Sequence, residues 1–183
     1  MFEFIAQDPP PAAVAAPATP DRALASLPNV TVVTYPVGGR SRRGVREDMN
    51  RNRPELNGQR HDAQTTWVFQ PSWRRDADGQ CLPETAELTV TITVTLPELT
   101  TRDVLRRGDR DAWDRYFAAL VLHEGNHVQI VNLGAEHIVA AMRQATTCET
   151  MEAAGRAVSG EVAAASAEYD RLTRHGATEG AVF

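Results

Sequence analysis

The hydrophobic pattern of this chain changes its period at Pro97, and this change limits the folds that the chain can adopt. Before Pro97, apolar and threonine residues alternate over residues 86–96, which is typical of a strand with one buried and one solvated face. After it, the spacing is helical and predicts one long helix over residues 109–144. A break at residues 146–149 and a second helix over residues 150–173 follow.

Shorter elements are predicted upstream of this pattern. Residues 30–36 and 65–73 are rich in β-branched and aromatic side chains, which predicts two further strands, and residues 43–51 are compatible with a short helix. Strands that come first and long helices that come last are typical of the α+β class. We therefore expect a small antiparallel β-sheet followed by a long two-helix hairpin.

The length and charge of the chain limit its organisation and its partners. A chain of 183 residues is close to one domain, and its start is rich in proline and alanine. We predict a flexible tail over residues 1–28 and a single domain over residues 29–183. The net charge of -5, with no cluster of basic residues, argues against a nucleic-acid partner. No apolar run has the length of a transmembrane helix.

The predicted long helix contains the pattern His-Glu-x-x-His at residues 123–127. Residues four positions apart share one face of a helix, so the imidazoles of His123 and His127 can hold the same ion. A zinc ion with three protein ligands acidifies a bound water, and a neighbouring carboxylate can accept the proton during attack on a carbonyl. The pattern therefore predicts one zinc ion, with His123 and His127 as ligands and Glu124 as the catalytic base.

The third ligand must come from another element, and the hairpin gives a geometric estimate of its position. If the turn is centred near Thr147, His127 lies opposite roughly residue 167 and His123 opposite roughly residue 171. The end of the second helix therefore passes the site. The candidate ligands in this segment are Glu168, Asp170 and His175.

Two residues of this segment have alternative roles. Asp170 can bind the metal, or it can orient a ligand histidine through a hydrogen bond. Tyr169 can donate its hydroxyl to a developing oxyanion. For the carboxylates, a position on a solvated face of the helix is an equally good interpretation. The two cysteines, Cys81 and Cys148, fit either one disulfide or two buried thiols.

Five segments of the chain, taken in order, carry a family resemblance. They are Tyr35–Gly38, Thr65–Trp67, Gly79–Cys81 with the strand that ends at Leu96–Pro97, Trp113–His127 and Tyr169–Gly180. Together they resemble the DUF922 family over roughly residues 30–183. This resemblance implies a secreted zinc-dependent protease.

The resemblance also bears on the open alternatives. It implies that His175 is the third zinc ligand rather than Glu168 or Asp170. It implies a disulfide between Cys81 and Cys148, which would tie the sheet to the turn of the hairpin. It further implies a periplasmic or secreted location, although the first residues of the chain do not have the pattern of a signal peptide.

These observations predict a zinc metallopeptidase that cleaves an amide bond of a peptide or protein substrate. The same chemistry fits a zinc amidase that acts on cell-wall material. A third interpretation is a non-catalytic envelope protein that uses the zinc for structure or for partner binding. A purely structural zinc site needs no base, so Glu124 favours an enzyme. The patterns do not specify the substrate sequence or the oligomeric state.

Overall fold

The computed structural model describes residues 20–56 and 58–183. The helices are α1 (Pro20–Ala25), α2 (Arg42–Asn52), α3 (Arg107–Arg143) and α4 (Cys148–Thr173). The strands are β1 (Val30–Val37), β2 (Glu55–Leu56), β3 (Gln59–Arg60), β4 (Gln64–Arg75) and β5 (Cys81–Leu99). Short 3-10 turns cover Arg102–Val104 and Ala177–Glu179. The fold belongs to the α+β class, as predicted.

The two long helices α3 and α4 form the predicted hairpin. The chain leaves α3 after Arg143 and enters α4 at Cys148, close to the predicted boundaries. Thr147 caps α4, because its side chain accepts a hydrogen bond from the backbone N–H of Thr150. The side chain of Thr150 in turn accepts from the backbone N–H of Thr147, which completes a capping box. This local hydrogen bonding fixes where α4 begins.

The main sheet has three strands in the order β1-β5-β4. Strands β4 and β5 are antiparallel, whereas β1 is parallel to β5, with Val30 paired with Ile92. The sheet is therefore mixed, and the prediction of a purely antiparallel sheet is wrong for β1. The reason is that α2, the β2–β3 hairpin and β4 separate β1 from β5 in the chain. A connection of that length allows parallel pairing, which a tight hairpin does not.

The alternating pattern of β5 is confirmed where the strand packs against α3. Ile92, Val94 and Leu96 are fully buried, whereas Thr89 and Thr91 are exposed. The same core contains apolar side chains of α3, namely Leu120, Val121, Val128 and Val131. Helix α3 also packs against α4 on another side. The segment of α3 that carries the His-Glu-x-x-His pattern is therefore enclosed by the sheet and by α4.

The predicted disulfide between Cys81 and Cys148 is confirmed. It joins the first residue of β5 to the first residue of α4 across 67 residues, with a Cα–Cα distance of 5.2 Å. Cys81 belongs to a second apolar cluster, together with Ile138, Met142 and Met151. The bond therefore holds the far end of the hairpin against the sheet.

Residues 1–19 of the predicted tail lie outside the described residues. The last part of that predicted tail is folded, because residues 20–25 form α1 and its Leu24 is buried in the main core. Leu24 lies beside Gly125 of α3, at 3.6 Å from the position of an added Cβ. Within residues 20–56 and 58–183, no helix combines the length and apolar character needed to cross a membrane.

Candidate metal centre

His123 and His127 lie one turn apart on α3, and both side chains are buried, with 2% and 5% of their surface exposed. Their rings are almost perpendicular, and their Nε2 atoms are 3.3 Å apart. Both Nε2 atoms therefore point to one place between α3 and α4. This confirms the geometric expectation from their spacing in the sequence.

Asp170 of α4 provides the third group at this place. Its Oδ1 atom lies 3.0 Å from Nε2 of His123 and 3.1 Å from Nε2 of His127. The estimate from the hairpin is accurate to about one residue, because His123 lies beside Asp170 and His127 beside Ser166. These residues could hold a metal ion: one ligand atom from each of His123, His127 and Asp170 lies within 4.8 Å of the other two.

The spacing of these three atoms fits a small divalent cation. A tetrahedral zinc site with bonds of 2.0–2.1 Å has ligand atoms about 3.3–3.4 Å apart, close to the separations of 3.0, 3.1 and 3.3 Å in this cluster. A circle through the three atoms has a radius of about 1.8 Å, so an ion can reach all three at a normal bond length. Two imidazoles and one carboxylate are a common ligand set for zinc.

The Nδ1 atom of each imidazole ring also has a hydrogen-bond partner. Nδ1 of His123 lies 2.8 Å from Oε2 of Glu179, and Nδ1 of His127 lies 2.8 Å from Oγ of Ser166. A proton on Nδ1 is donated to these oxygens and leaves Nε2 free to bind a cation. The two rings are thus oriented for metal binding by partners outside the cluster.

The charges around the cluster favour a cation at its centre. Although burial opposes it, hydrogen bonds from His123 and His127 hold the pKa of Asp170 well below its ordinary value. Burial likewise disfavours the charged form of His123, but hydrogen bonds to Asp170 and Glu179 raise its pKa. Both directions show that the carboxylates stabilise positive charge between the helices.

Glu124 lies next to the cluster and is buried, with 3% of its surface exposed. Its Oε2 atom accepts a hydrogen bond of 2.6 Å from the hydroxyl of Thr65 on β4. Burial raises the pKa of Glu124 above its ordinary value, although the hydrogen bond from Thr65 opposes this. The carboxylate is therefore held in place by the sheet and lies at the edge of the same cavity as the histidines.

The family comparison bears on all of these residues. The sequence profile of a family described as a bacterial protein of unknown function (DUF922) matches residues 32–176, which is more than half of the chain.

The chain belongs to the DUF922 family.

The DUF922 match includes His123, Glu124, His127, Asp170 and His175, so all of the candidate metal ligands lie inside the family region. Its description assigns no activity. No curated protein and no solved structure matches the chain.

The structure separates the three candidates for the third ligand. Asp170 joins the two histidines, as described above. The ring of His175 is 54% exposed, and its Nδ1 atom lies 3.3 Å from Oδ1 of Asp170 but does not join the group of ligand atoms. Glu168 is exposed on the other side of α4, where it pairs with Arg171 at 2.6 Å. Asp170, which the sequence left open as an alternative ligand, is therefore the residue that joins His123 and His127 in the group that could hold a metal.

A change of backbone conformation explains the position of His175. Helix α4 ends at Thr173, and both Arg174 and His175 adopt a left-handed conformation, with φ of 50° and 52°. The chain therefore leaves the helical path after Thr173, and the ring of His175 packs on that of His61 at a centroid distance of 4.5 Å. Gly176 follows with φ of 77°, and an added Cβ there would lie 3.1 Å from the His123 ring. This turn needs a residue without a side chain, because the turn packs directly on a candidate ligand.

Tyr169 has a different position from the one predicted for an oxyanion donor. Its ring stacks on His123 at a centroid distance of 4.9 Å. Its hydroxyl donates to Oε1 of Glu179 at 2.6 Å and accepts from the side-chain amide of Asn126 at 2.7 Å. The hydroxyl thus lies on the Nδ1 side of His123, away from the Nε2 atoms. Tyr169 is a positioning residue in this structure, since it holds Glu179 against His123.

The motif did not reveal Thr65 or Glu179. Each is more than fifty residues from its partner on α3, at separations of 59 and 56 residues. Glu179 also lies beyond the DUF922 match. In the sequence, Glu179 is only a carboxylate that follows the His175-Gly176 segment. The turn after α4 brings this carboxylate back to His123.

The cluster opens into a cleft of about 640 Å³ between the sheet and the hairpin. Strand β4 contributes Thr65 and Trp67 to its wall, and α4 contributes Ser166 and Asp170. A cleft of this volume can accommodate a segment of peptide or a small molecule. The candidate metal site is therefore accessible to a ligand from one side.

Proposed function

We propose that this protein is a zinc-dependent hydrolase that cleaves amide bonds in peptides. One observation carries the proposal: Nε2 of His123, Nε2 of His127 and Oδ1 of Asp170 converge to within 3.3 Å of one another, beside the buried carboxylate of Glu124 and at the wall of an open cleft. Three protein ligands with room for a fourth, non-protein ligand are the usual arrangement of catalytic zinc sites.

Zinc, when bound, supplies Lewis acidity that acidifies a coordinated water and polarises a carbonyl. The chain supplies the base. Oε2 of Glu124 is occupied by the hydroxyl of Thr65, while Oε1 has no hydrogen bond with any described residue. Oε1 is therefore the atom that accepts a proton from the attacking water and returns it to the leaving amine. Thr65 keeps this carboxylate in one orientation.

Other residues of the chain hold the ligands in place. Glu179 and Ser166 fix the two imidazole rings through their Nδ1 atoms, and Tyr169 and Asn126 hold Glu179. Such orienting partners typically change metal affinity by about 10–100-fold when removed. We expect Glu179→Gln to lower zinc affinity by about that factor, as measured by competition with a fluorescent chelator.

A metal site without catalysis is the second candidate. It is favoured by the proximity of His175, whose Nδ1 atom is 3.3 Å from Asp170, because a movement of this exposed ring toward the two histidines would close a four-ligand site. His175→Ala separates the two candidates. For a hydrolase we expect zinc to remain bound in that variant. Loss of zinc together with loss of the folded state would instead support a structural site.

The first experiment measures zinc content and peptide hydrolysis in the same preparations. We expect one zinc ion per chain in the wild type. Glu124→Gln should retain that zinc but lose at least about 99% of the turnover, since general-base catalysis typically contributes 10²–10⁴-fold. Unchanged turnover in Glu124→Gln would remove Glu124 from the mechanism. A wild-type protein that binds no divalent metal would remove the proposed function altogether.

The second experiment tests Asp170 against a matched control on the same helix. Asp170→Asn removes the negative charge that lies between the histidines, and we expect it to weaken zinc binding by more than about 100-fold. Glu168→Gln makes the same chemical change at an exposed carboxylate two residues away, and we expect it to bind zinc like the wild type. Equal zinc affinity in the two variants would contradict the ligand assignment.

A panel of substrates identifies the type of bond that the protein cleaves. Peptidoglycan fragments and unmodified peptides both present amide bonds, and the same metal chemistry serves either. We favour peptides because the cleft runs along the edge of β4, where Thr65 and Trp67 line its wall. Release of amino groups from cell-wall fragments alone would assign the protein as a cell-wall amidase.

We also propose that the protein works outside the cytoplasm. The disulfide between Cys81 and Cys148 supports this location, because such bonds persist in oxidising compartments and are rare in the cytosol. Labelling of free thiols in protein isolated from separate cell fractions tests it. Recovery of fully reduced protein from the cytosolic fraction alone would contradict the proposal.

A further inference from the structure

The charges that line the cleft differ from the charge of the whole chain. The chain has a net charge of -5, yet three arginines line the cleft, namely Arg53, Arg60 and Arg174. The acidic side chains of the lining are Asp62, Glu124 and Asp170. Glu124 and Asp170 belong to the candidate metal centre. The charge of the remaining wall therefore depends on Asp62 and on the three arginines.

Asp62 does not neutralise this wall, because two arginines share it. Arg46 binds its Oδ2 atom at 2.7 Å, and Arg53 binds its Oδ1 atom at 3.2 Å. The hydroxyl of Tyr116 also donates to Oδ2, at 2.9 Å. Arg46 also donates from its Nε atom to the oxygen of Phe183, at 3.1 Å, so it does not depend on Asp62 alone. Of the two arginines, Arg53 lines the cleft and Arg46 does not.

Arg53 uses only part of its hydrogen-bonding capacity within the protein. Its Nε atom is buried and has no hydrogen-bond partner among the described residues. A guanidinium group can bind a carboxylate through two parallel N–H donors, and a buried donor without a partner is costly. Arg53 is thus held in place by Asp62 through its Nη1 atom, and its side chain, which is 30% exposed, lines the cleft.

Arg174 adds a second positive charge to the lining of the cleft. It makes no ion pair with a described carboxylate within 4.0 Å, whereas the third arginine, Arg60, is paired with Glu55 at 3.1 Å. Arg174 precedes His175, whose ring packs on that of His61 at a centroid distance of 4.5 Å. His61 is the neighbour of Asp62 in the chain. The contact between His61 and His175 therefore joins the segment that carries Arg174 to the segment that carries Asp62, the ion-pair partner of Arg53.

We propose that Arg53 and Arg174 bind a carboxylate of the substrate, so that the cleft selects acidic peptides. The inference deepens the proposed function and rests on it for the identity of the ligand as a peptide. The carboxylate can belong to an aspartate or glutamate side chain or to the end of the peptide, because the arginines recognise the same group in each case. The positive charge of Arg174, which pairs with no described carboxylate, also attracts such ligands to a protein of net negative charge.

The test measures binding rather than hydrolysis. All proteins carry Glu124→Gln, so that bound peptides are not cleaved. The probes are N-acetylated alanine pentapeptide amides with a single glutamate at each position in turn, the same peptides with glutamine, and the all-alanine peptide with a free carboxyl end. Isothermal titration calorimetry gives the affinities. The glutamate series reports a side-chain carboxylate, and the free-end peptide reports a terminal one.

We expect at least one carboxylate-bearing peptide to bind about tenfold more tightly than its neutral counterpart, because a charge-assisted hydrogen bond contributes that much. Arg53→Gln should abolish this preference, and Arg174→Gln should reduce it. Arg46→Gln is the matched control, since Arg46 also pairs with Asp62 and has similar exposure, 27% against 30% for Arg53, but does not line the cleft. We expect Arg46→Gln to keep the preference.

Three results would overturn the inference. They are equal affinity for all charged and neutral pairs, a preference that survives both Arg53→Gln and Arg174→Gln, and a preference that is lost equally in Arg46→Gln. Thermal melts check that each variant is folded. If Arg53→Gln is not folded, the affinities of Arg174→Gln, a change at an exposed residue, and of the conservative variant Arg53→Lys test the inference instead. Zinc content of the same samples tests the proposed function separately. A preference for carboxylates in protein that binds no zinc would refute the proposed hydrolase function but not the role of the arginines.

Discussion

Reduction of the disulfide between Cys81 and Cys148 is the perturbation whose effect can be worked out most directly. The bond closes a loop that contains β5, the whole of α3 and the turn before α4. In the unfolded chain, this closure removes conformations that a reduced chain regains. We therefore expect the reduced protein to be less stable, with the same fold and the same candidate metal site.

The magnitude follows from the length of the loop. For a separation of 67 residues, the loop-closure entropy corresponds to about 4.4 kcal/mol at 25 °C. Domains of ordinary stability unfold with about 5–15 kcal/mol, so this one bond accounts for a large share. For a domain of this size, about 4 kcal/mol corresponds to a decrease in Tm of roughly 10–15 °C.

Thermal unfolding monitored by circular dichroism, with and without dithiothreitol, measures this effect. Reduction breaks one bond and leaves every other contact unchanged, so it avoids the cavity that a substitution at the buried Cys81 would make. The double variant Cys81→Ala with Cys148→Ala is the control. Its Tm should not respond to dithiothreitol.

Two outcomes would refute the reasoning. A reduced wild-type protein whose Tm falls by less than about 3 °C, roughly 1 kcal/mol, would show that the bond constrains the unfolded chain little. A double variant whose Tm falls on addition of dithiothreitol would show that the reagent acts somewhere other than on this disulfide.

Two further predictions concern helix packing and the buried phenols. An added Cβ at Gly134 of α3 would lie 2.2 Å from Cγ2 of Val162, whereas one at Gly160 of α4 would contact nothing within 4 Å. Gly134→Ala should therefore cost about 1–3 kcal/mol and Gly160→Ala should stabilise by about 0.5–1 kcal/mol; urea unfolding measures both, and equal effects would contradict the close packing of α3 on α4. Burial raises the pKa of Tyr35 and of Tyr116. A folded-state pKa above the unfolded value near 10 means that stability is complete below about pH 10 and falls as the pH rises beyond it. Absorbance at 295 nm should show these two phenols ionising only with unfolding, and ionisation near pH 10 in the folded protein would refute their burial.

Local patterns in the sequence were sufficient to predict the face of α3 that carries the candidate metal ligands. Residues 123 and 127 share a face in any α-helix, so the pairing of the two imidazoles did not depend on tertiary structure. The approximate partner on α4 could also be predicted, because the rise per residue fixes which residues lie opposite each other in a hairpin. The alternation of β5 likewise predicted its buried face.

The identity of the third ligand could not be obtained in this way. The family resemblance favoured His175, but two left-handed residues at the end of α4 direct that side chain toward His61 instead. Where a helix ends is decided by a small difference between local hydrogen bonds, and that difference depends on what the following turn packs against. Here the turn packs on His123, and Asp170 is the residue that joins the two histidines in the candidate metal site.

The sequence by itself determined the helical pair of histidines and the acid beside them, because these residues lie within one or two turns of one helix. It also determined the class of the fold, because the strand pattern and the helical pattern follow one another along the chain. Tertiary structure alone decided the parallel pairing of β1, the contacts of Thr65 and Glu179 with the site, and the gathering of scattered arginines around one cleft. These contacts join residues far apart in the chain, and their energies come from the packing of whole elements, which no local pattern records.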